Sequence, residues 1–157
     1  FINYVFSEFA KLSGRQYSPV EHYRTEDADT LLLTMGSFSE IAMDAVDQLR
    51  DRGEKVGLIR LRLWRPFPFE ELRQAVQNCQ TLIVLDRCIS PAGPPGPVSS
   101  EVKAALYSQK KRPNIASFIG GLGGRDLTPG EFVQMVEKGR VIAAEGGEEI
   151  EMIGVRG

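Results

Sequence analysis

"TLLLTMGSFSEIAMDAVDQL" (residues 30–49) decides how this 157-residue chain is read. Residues 30–35 form an apolar run closed by Gly36, the pattern of a strand buried on both faces of a parallel sheet. Ser37, with Glu40 three residues on, predicts a capping box. Beyond it Ile41, Ala42, Ala45, Val46 and Leu49 line one helical face until Gly53. The stretch is one strand followed by one helix.

The unit recurs downstream. Residues 55–63 read as the next strand, and Phe69, Leu72, Ala75 and Val76 as the apolar face of the following helix. "TLIVLD" (81–86) is the third strand. A helix from about Val98 to Tyr107 follows, with Val98, Val102, Ala105 and Leu106 facing inward. Residues 114–120 are the fourth strand, and Thr128, Pro129 and Glu131 predict a second capping box, opening a helix that buries Phe132, Val133 and Val136. Strands starting near positions 30, 55, 81 and 114 are spaced as right-handed crossovers require. The expected fold class is therefore α/β: three α/β/α layers around a mainly parallel open sheet.

Upstream, Ile2, Val5, Phe6, Phe9 and Leu12 recur at helical spacing and Gly14 stops the run. A short strand over Val20–Tyr23 belongs at a sheet edge, because Pro19 cannot donate a ladder hydrogen bond. Residues 1–139 make one domain, and 140–157 read as a tail whose "EMIGVRG" docks back on the body. The chain opens at Phe1 without Met, as expected of a piece of a longer polypeptide.

Nineteen basic and twenty-one acidic residues are interspersed, which argues against a nucleic-acid partner. No apolar run approaches the roughly 18 residues of a membrane span. Cys79 and Cys88 are nine positions apart and lack a CxxC or Cys/His cluster, so neither a disulfide framework nor a zinc site is indicated. A cytoplasmic location follows.

In an open parallel sheet, ligands gather outside the carboxyl ends of the strands. Gly36 and Ser37 stand at a helix start, Arg87 ends a strand, and Arg125 follows "GGLGG" (120–124). Together these four are candidate anion ligands, although "GGLGG" fits no phosphate-loop spacing and a capped helix explains Gly36 and Ser37 more simply. The loop "RCISPAGPPGP" (87–97) is stiffened by four prolines and suits a contact surface better than a lid. His22 is the one histidine and has no nucleophile near it in sequence. Glu70 and Glu71 are adjacent and point apart on their helix, and Cys88 beside Arg87 has no accompanying base. No catalytic residue, cofactor ligand or metal ligand is assigned.

"LRLWRPFPFEEL" (61–72) turns from strand to helix through two prolines and two arginines. Taken together, Met-Gly-Ser (35–37), Arg-Leu-Trp-Arg-Pro-Phe (62–67), Leu-Asp-Arg with its Pro/Gly loop (85–97) and Gly-Leu-Gly-Gly-Arg-Asp (121–126) give the chain its family likeness. They resemble the second domain of the 2-oxoacid (pyruvate):ferredoxin or flavodoxin oxidoreductases, a domain similar to the C-terminal domain of transketolase. The likeness covers about residues 1–139, and "EMIGVRG" is similar to the end of the family's separate α subunits.

The resemblance implies a whole enzyme that oxidatively decarboxylates a 2-oxoacid to acyl-coenzyme A and passes electrons to ferredoxin or flavodoxin. That enzyme uses thiamine diphosphate, magnesium, iron–sulfur clusters and coenzyme A, with the thiamine, magnesium and cluster ligands in other domains or subunits. This domain is then a non-catalytic interface element, and Trp64, Arg65 and Phe67 are its candidate contact residues. Three readings compete with it: an anion- or coenzyme-A-binding α/β module, the corresponding domain of another thiamine-dependent enzyme, and a stand-alone enzyme using Cys88.

Overall fold

The computed structural model describes residues 1–94, 96–146 and 150–155. Pro95 of the Pro/Gly loop, and residues 147–149 and 156–157 of the expected tail, lie outside the described residues. In chain order the elements are α1 (Ile2–Ser13), β1 (Val20–Tyr23), β2 (Thr30–Thr34), α2 (Phe38–Asp51), β3 (Val56–Leu61) and α3 (Phe69–Val76). They continue with β4 (Thr81–Asp86), α4 (Pro97–Leu106), β5 (Asn114–Ile119), a 3-10 turn (Leu122–Gly124), α5 (Pro129–Glu145) and β6 (Glu151–Met152).

The six strands lie in the order β1-β3-β2-β4-β5-β6, all parallel except β1, which runs antiparallel to β3 at the edge. Strand β2 sits near the centre with all five residues buried. Alternation sends Leu32 toward α2 and α5, and Leu31 and Leu33 toward α3 and α4. On the first face Ala42, Ala45, Val46 and Leu49 of α2 meet Phe132, Val133 and Val136 of α5. On the second, Leu72 and Val76 of α3 meet Val98, Val102, Ala105 and Leu106 of α4. Each fully buried Leu contributes about 1.5–3 kcal/mol, so the sheet's two apolar faces hold the three layers together.

One expected cap forms and the other does not. Thr128 has extended backbone (φ -98°, ψ 158°), its hydroxyl accepts from the Glu131 N–H at 3.3 Å, and its own N–H donates to Glu131 Oε2 at 2.8 Å. Ser37 already has helical backbone (φ -65°, ψ -26°) and makes no side-chain cap bond, so the predicted box at Ser37 and Glu40 is absent. Such a cap needs a non-helical residue whose side chain faces the free N–H groups. Glu40 turns instead to Arg60 of β3, at 2.8 Å.

The C-terminal segment is less separate than its sequence suggests. Helix α5 runs on through residues 140–145, and Arg140 reaches Glu54 at 2.5 Å and Thr30 Oγ1 at 3.1 Å. Glu151 and Met152 pair with Phe118 and Ile119, and Ile153 is buried in the core. A boundary between 139 and 140 falls inside α5.

Candidate functional site

The connection from β2 through α2 places β3 on one side of β2, and α3 then carries the chain across to β4 on the other. The loops after β2 and β4 therefore diverge from adjacent strand ends, the place where open α/β sheets hold ligands. Gly36 and Ser37 stand after β2. The Gly36 carbonyl accepts from Ser39 N–H at 3.2 Å and from Arg60 Nη2 at 3.4 Å, and the Ser37 carbonyl accepts from Glu40 N–H at 3.1 Å.

Arg87, after β4, lies with its guanidinium carbon 4.8 Å from the centre of the Phe38 ring, and its Nε donates to the Gly121 carbonyl at 3.4 Å. It thus joins the start of α2. Arg125 does not: its guanidinium turns outward to Glu131 at 2.9 Å and to the Gly154 carbonyl, tying the loop after β5 to α5 and to the segment after β6. Of the four candidate anion ligands, three gather at the switch point and one is held elsewhere.

The sequence reading missed the most constrained polar group at this edge. Asp86, the last residue of β4, is 2% exposed and accepts hydrogen bonds from the N–H groups of Val98 (2.8 Å) and Ser99 (2.9 Å). Burial pushes its carboxyl up, against the opposing pull of those two bonds. Asp86 therefore caps α4 from twelve residues upstream, meeting N–H groups that helix geometry leaves without partners. Beside it the hydroxyls of Ser99 and Ser117 are hydrogen-bonded, and Thr34 and Ser39 make the equivalent link at the start of α2, at 2.8 Å.

At the proline corner, Trp64 Nε1 and Arg65 Nη1 both donate to Glu101 Oε2 at 2.7 Å, and Arg65 Nη2 pairs with Glu101 Oε1. The Arg65 guanidinium lies 4.7 Å from the Trp64 ring centre. Trp64 and Phe67 are half-buried against the α3/α4 side of the core, and Phe67 meets Phe69 edge to face at 5.1 Å. The corner is thus pinned to α4 by the one carboxylate that α4 carries. The hydrogen bond from Arg65 holds the Glu101 carboxyl below the ordinary glutamate value.

The remaining candidates stand apart. His22 Nδ1 is 3.2 Å from Thr25 Oγ1 on the β1 edge. Glu70 pairs with Arg73 at 2.7 Å while Glu71 faces Asn3, so the two carboxylates do point apart. Cys79 is buried, donates to the Thr81 carbonyl at 2.9 Å, and has its thiol pushed up to about 12 by burial; Cys88 is exposed. These cysteines flank a six-residue strand, so they lie roughly 20 Å apart. That separation does not fit ligation of one iron–sulfur cluster. Asp86, with both oxygens already bonded to α4, does not fit magnesium.

Residues 28–132 match the family model described as pyruvate:ferredoxin oxidoreductase core domain II. Over 157 residues the chain is 38% identical to pyruvate synthase subunit PorA of Pyrococcus furiosus, covering 99% of this chain and 39% of that one. Over 128 residues it is 39% identical to the NADH-dependent phenylglyoxylate dehydrogenase subunit alpha of Aromatoleum evansii, covering 81% of this chain and 31% of the other. The chain therefore spans at most two fifths of either relative. A solved split gene transketolase, described as an inactive β4 tetramer, shares the fold with a TM-score of 0.63 at 15% identity, over 82% of this chain and 44% of that chain.

Proposed function

Because the chain belongs to the pyruvate:ferredoxin oxidoreductase core domain II family, we propose that it is a non-catalytic, assembly-supporting domain of a 2-oxoacid oxidoreductase α subunit. The whole enzyme, in this reading, decarboxylates a 2-oxoacid oxidatively in the cytoplasm, forms acyl-coenzyme A and passes electrons to ferredoxin or flavodoxin. Thiamine diphosphate, magnesium and iron–sulfur clusters are held by other domains or subunits. The observation that carries the reading is that the polar groups around the carboxyl edge are committed to one another and to the backbone. Asp86 caps α4, Arg60 pairs with Glu40, Arg125 pairs with Glu131, and Glu101 holds both Trp64 and Arg65. These groups build a rigid surface rather than a reaction centre. Relatives of nearly equal identity are named for pyruvate and for phenylglyoxylate, which supports placing the choice of 2-oxoacid outside this domain.

Incubating the 157-residue chain with pyruvate, coenzyme A, thiamine diphosphate, magnesium and an artificial electron acceptor tests this reading. No acyl-coenzyme A should form, whereas the intact enzyme forms it; product above a buffer control from the chain alone overturns the proposal. The anion-module reading is weaker because Arg125 is already paired. It requires a saturable rise in melting temperature with micromolar phosphate or coenzyme A, and we expect none below millimolar concentrations.

A further inference from the structure

Helix α1 turns most of its large apolar side chains to solvent. Phe1, just ahead of it, is 97% exposed, and within the helix Tyr4 is 62%, Val5 45%, Phe9 46% and Leu12 87% exposed, with no residue of Ile2–Ser13 buried. At 3.6 residues per turn these five side chains fall in one stripe about 140° wide. Glu8 interrupts it and pairs with Lys11 at 2.6 Å. The opposite side faces the domain through half-buried Ile2, Phe6 and Ala10; Phe6 and Ala10, with the exposed Asn3, Ser7 and Lys11, line a cleft of ≈ 660 Å³ between helix and body, where Asn3 Nδ2 donates to Glu71 Oε1 at 3.5 Å. A helix partnered only by its own domain shows a polar face to water, whereas one that is apolar on both sides is covered on both. Here Phe9 stacking on Tyr17, at 5.9 Å between ring centres, is the one aromatic contact that α1 makes among the described residues. The surface does not stop at the helix. Phe1 and Ile2 share a groove with Leu63, Pro66 and Phe67 of the proline corner.

We infer that the outward stripe of α1 and this groove form one docking surface, covered by an apolar face of the remaining part of the same subunit polypeptide. The inference rests on the assembly role proposed above and names the partner. Two observations select that occupant. With about 200 Å² for a large aromatic residue, the five side chains of the stripe expose roughly 600 Å², the low end of what free-standing partners bury per side. A second copy would have to hold at that low end, whereas a tethered neighbour binds readily through a small patch because its effective concentration is high. The relative that matches 99% of this chain is longer, this chain covering 39% of it, so such a neighbour is carried by relatives of this kind. A membrane surface is disfavoured as well, because α1 has one Lys, already paired, where interfacial helices are rich in Lys and Arg.

The test uses the full-length subunit in its assembled enzyme. Amide exchange across α1 should be at least about tenfold slower there than in the 157-residue chain, a difference of about 1.4 kcal/mol. The double variant Val5→Ser/Leu12→Ser should restore fast exchange in the enzyme while leaving the melting temperature of the 157-residue chain within about 2 °C of the parent. Equally fast exchange in both contexts overturns the inference. If replacing Phe67 still disrupts assembly in that case, the assembly role survives and only the α1 surface is lost. A large fall in the chain's own melting temperature shows the stripe to be internal. A concentration-dependent dimer of the chain that the variant dissolves makes a second copy the occupant. Either result also overturns the inference.

Discussion

Asp86 and Gly96 meet across the carboxyl end of β4: a Cβ placed on Gly96 would stand 2.7 Å from Asp86 Oδ2. The contact exists because Asp86 reaches over Gly96 to bond the Val98 and Ser99 N–H groups. Gly96 also has φ +83°, which side chains adopt only with strain. Gly96→Ala should therefore destabilise the domain by about 2–4 kcal/mol in urea unfolding. A loss below about 0.5 kcal/mol would show that the cap tolerates the methyl group and is not the constraint described.

Gly139 sets two effects against each other. Alanine is a better helix former by about 1 kcal/mol. Its methyl, however, would lie 2.8 Å from Ile83 Cγ1, in a strand whose Ile83 is fully buried. Overpacking costs about 1–3 kcal/mol, so Gly139→Ala should be net destabilising. Thermal unfolding that finds the variant more stable would contradict the packing of α5 on β4.

The Glu101 pairs titrate. Its folded pKa is depressed below 4.5 by the Arg65 hydrogen bond, so the stability it contributes is present above 4.5 and is lost as pH falls through the folded value. Glu101→Gln should lower the melting temperature by about 1–3 °C near neutral pH, a small effect because the Arg65 partner is solvent-exposed. The difference from the parent should shrink as pH drops below 4.5. A difference that persists unchanged at strongly acid pH would mean that the carboxylate charge plays no part.

The two thiols should differ sharply. Cys88 is exposed, whereas Cys79 is buried with its thiol pushed up to about 12. A thiol reagent at neutral pH should label one cysteine in the folded chain and two after unfolding. Rapid labelling of both in the folded state would place Cys79 at the surface.

The strands and the inward faces of their helices were legible because apolar periodicity records burial directly. Leu31–Leu33, Val98–Val102–Leu106 and the Thr128–Glu131 cap lie where their spacing puts them. Long-range polar partnerships were not. Asp86 caps a helix that begins eleven residues later, and Glu101 serves a corner thirty-six residues upstream, distances that leave no local pattern. Ser37 shows the converse failure, since a capping-box pattern says nothing about backbone angles, and Glu40 found a cation on the neighbouring strand β3. Of the α1 stripe read from spacing, Ile2 and Phe6 are half-buried while Val5, Phe9 and Leu12 face out. Which of these side chains meets the domain is a tertiary fact that periodicity cannot carry.

The central claim is that this domain acts through contacts rather than chemistry, and the proline corner tests it most directly. Arg65 and Phe67 should be replaced by Ala, and the melting temperature of the 157-residue chain compared with the fraction of intact enzyme recovered by size-exclusion chromatography. The account predicts a fall of no more than about 3 °C in melting temperature with assembled enzyme reduced by at least about tenfold. A domain that melts far lower while whatever remains folded still assembles fully would make the corner part of the core and contradict the claim.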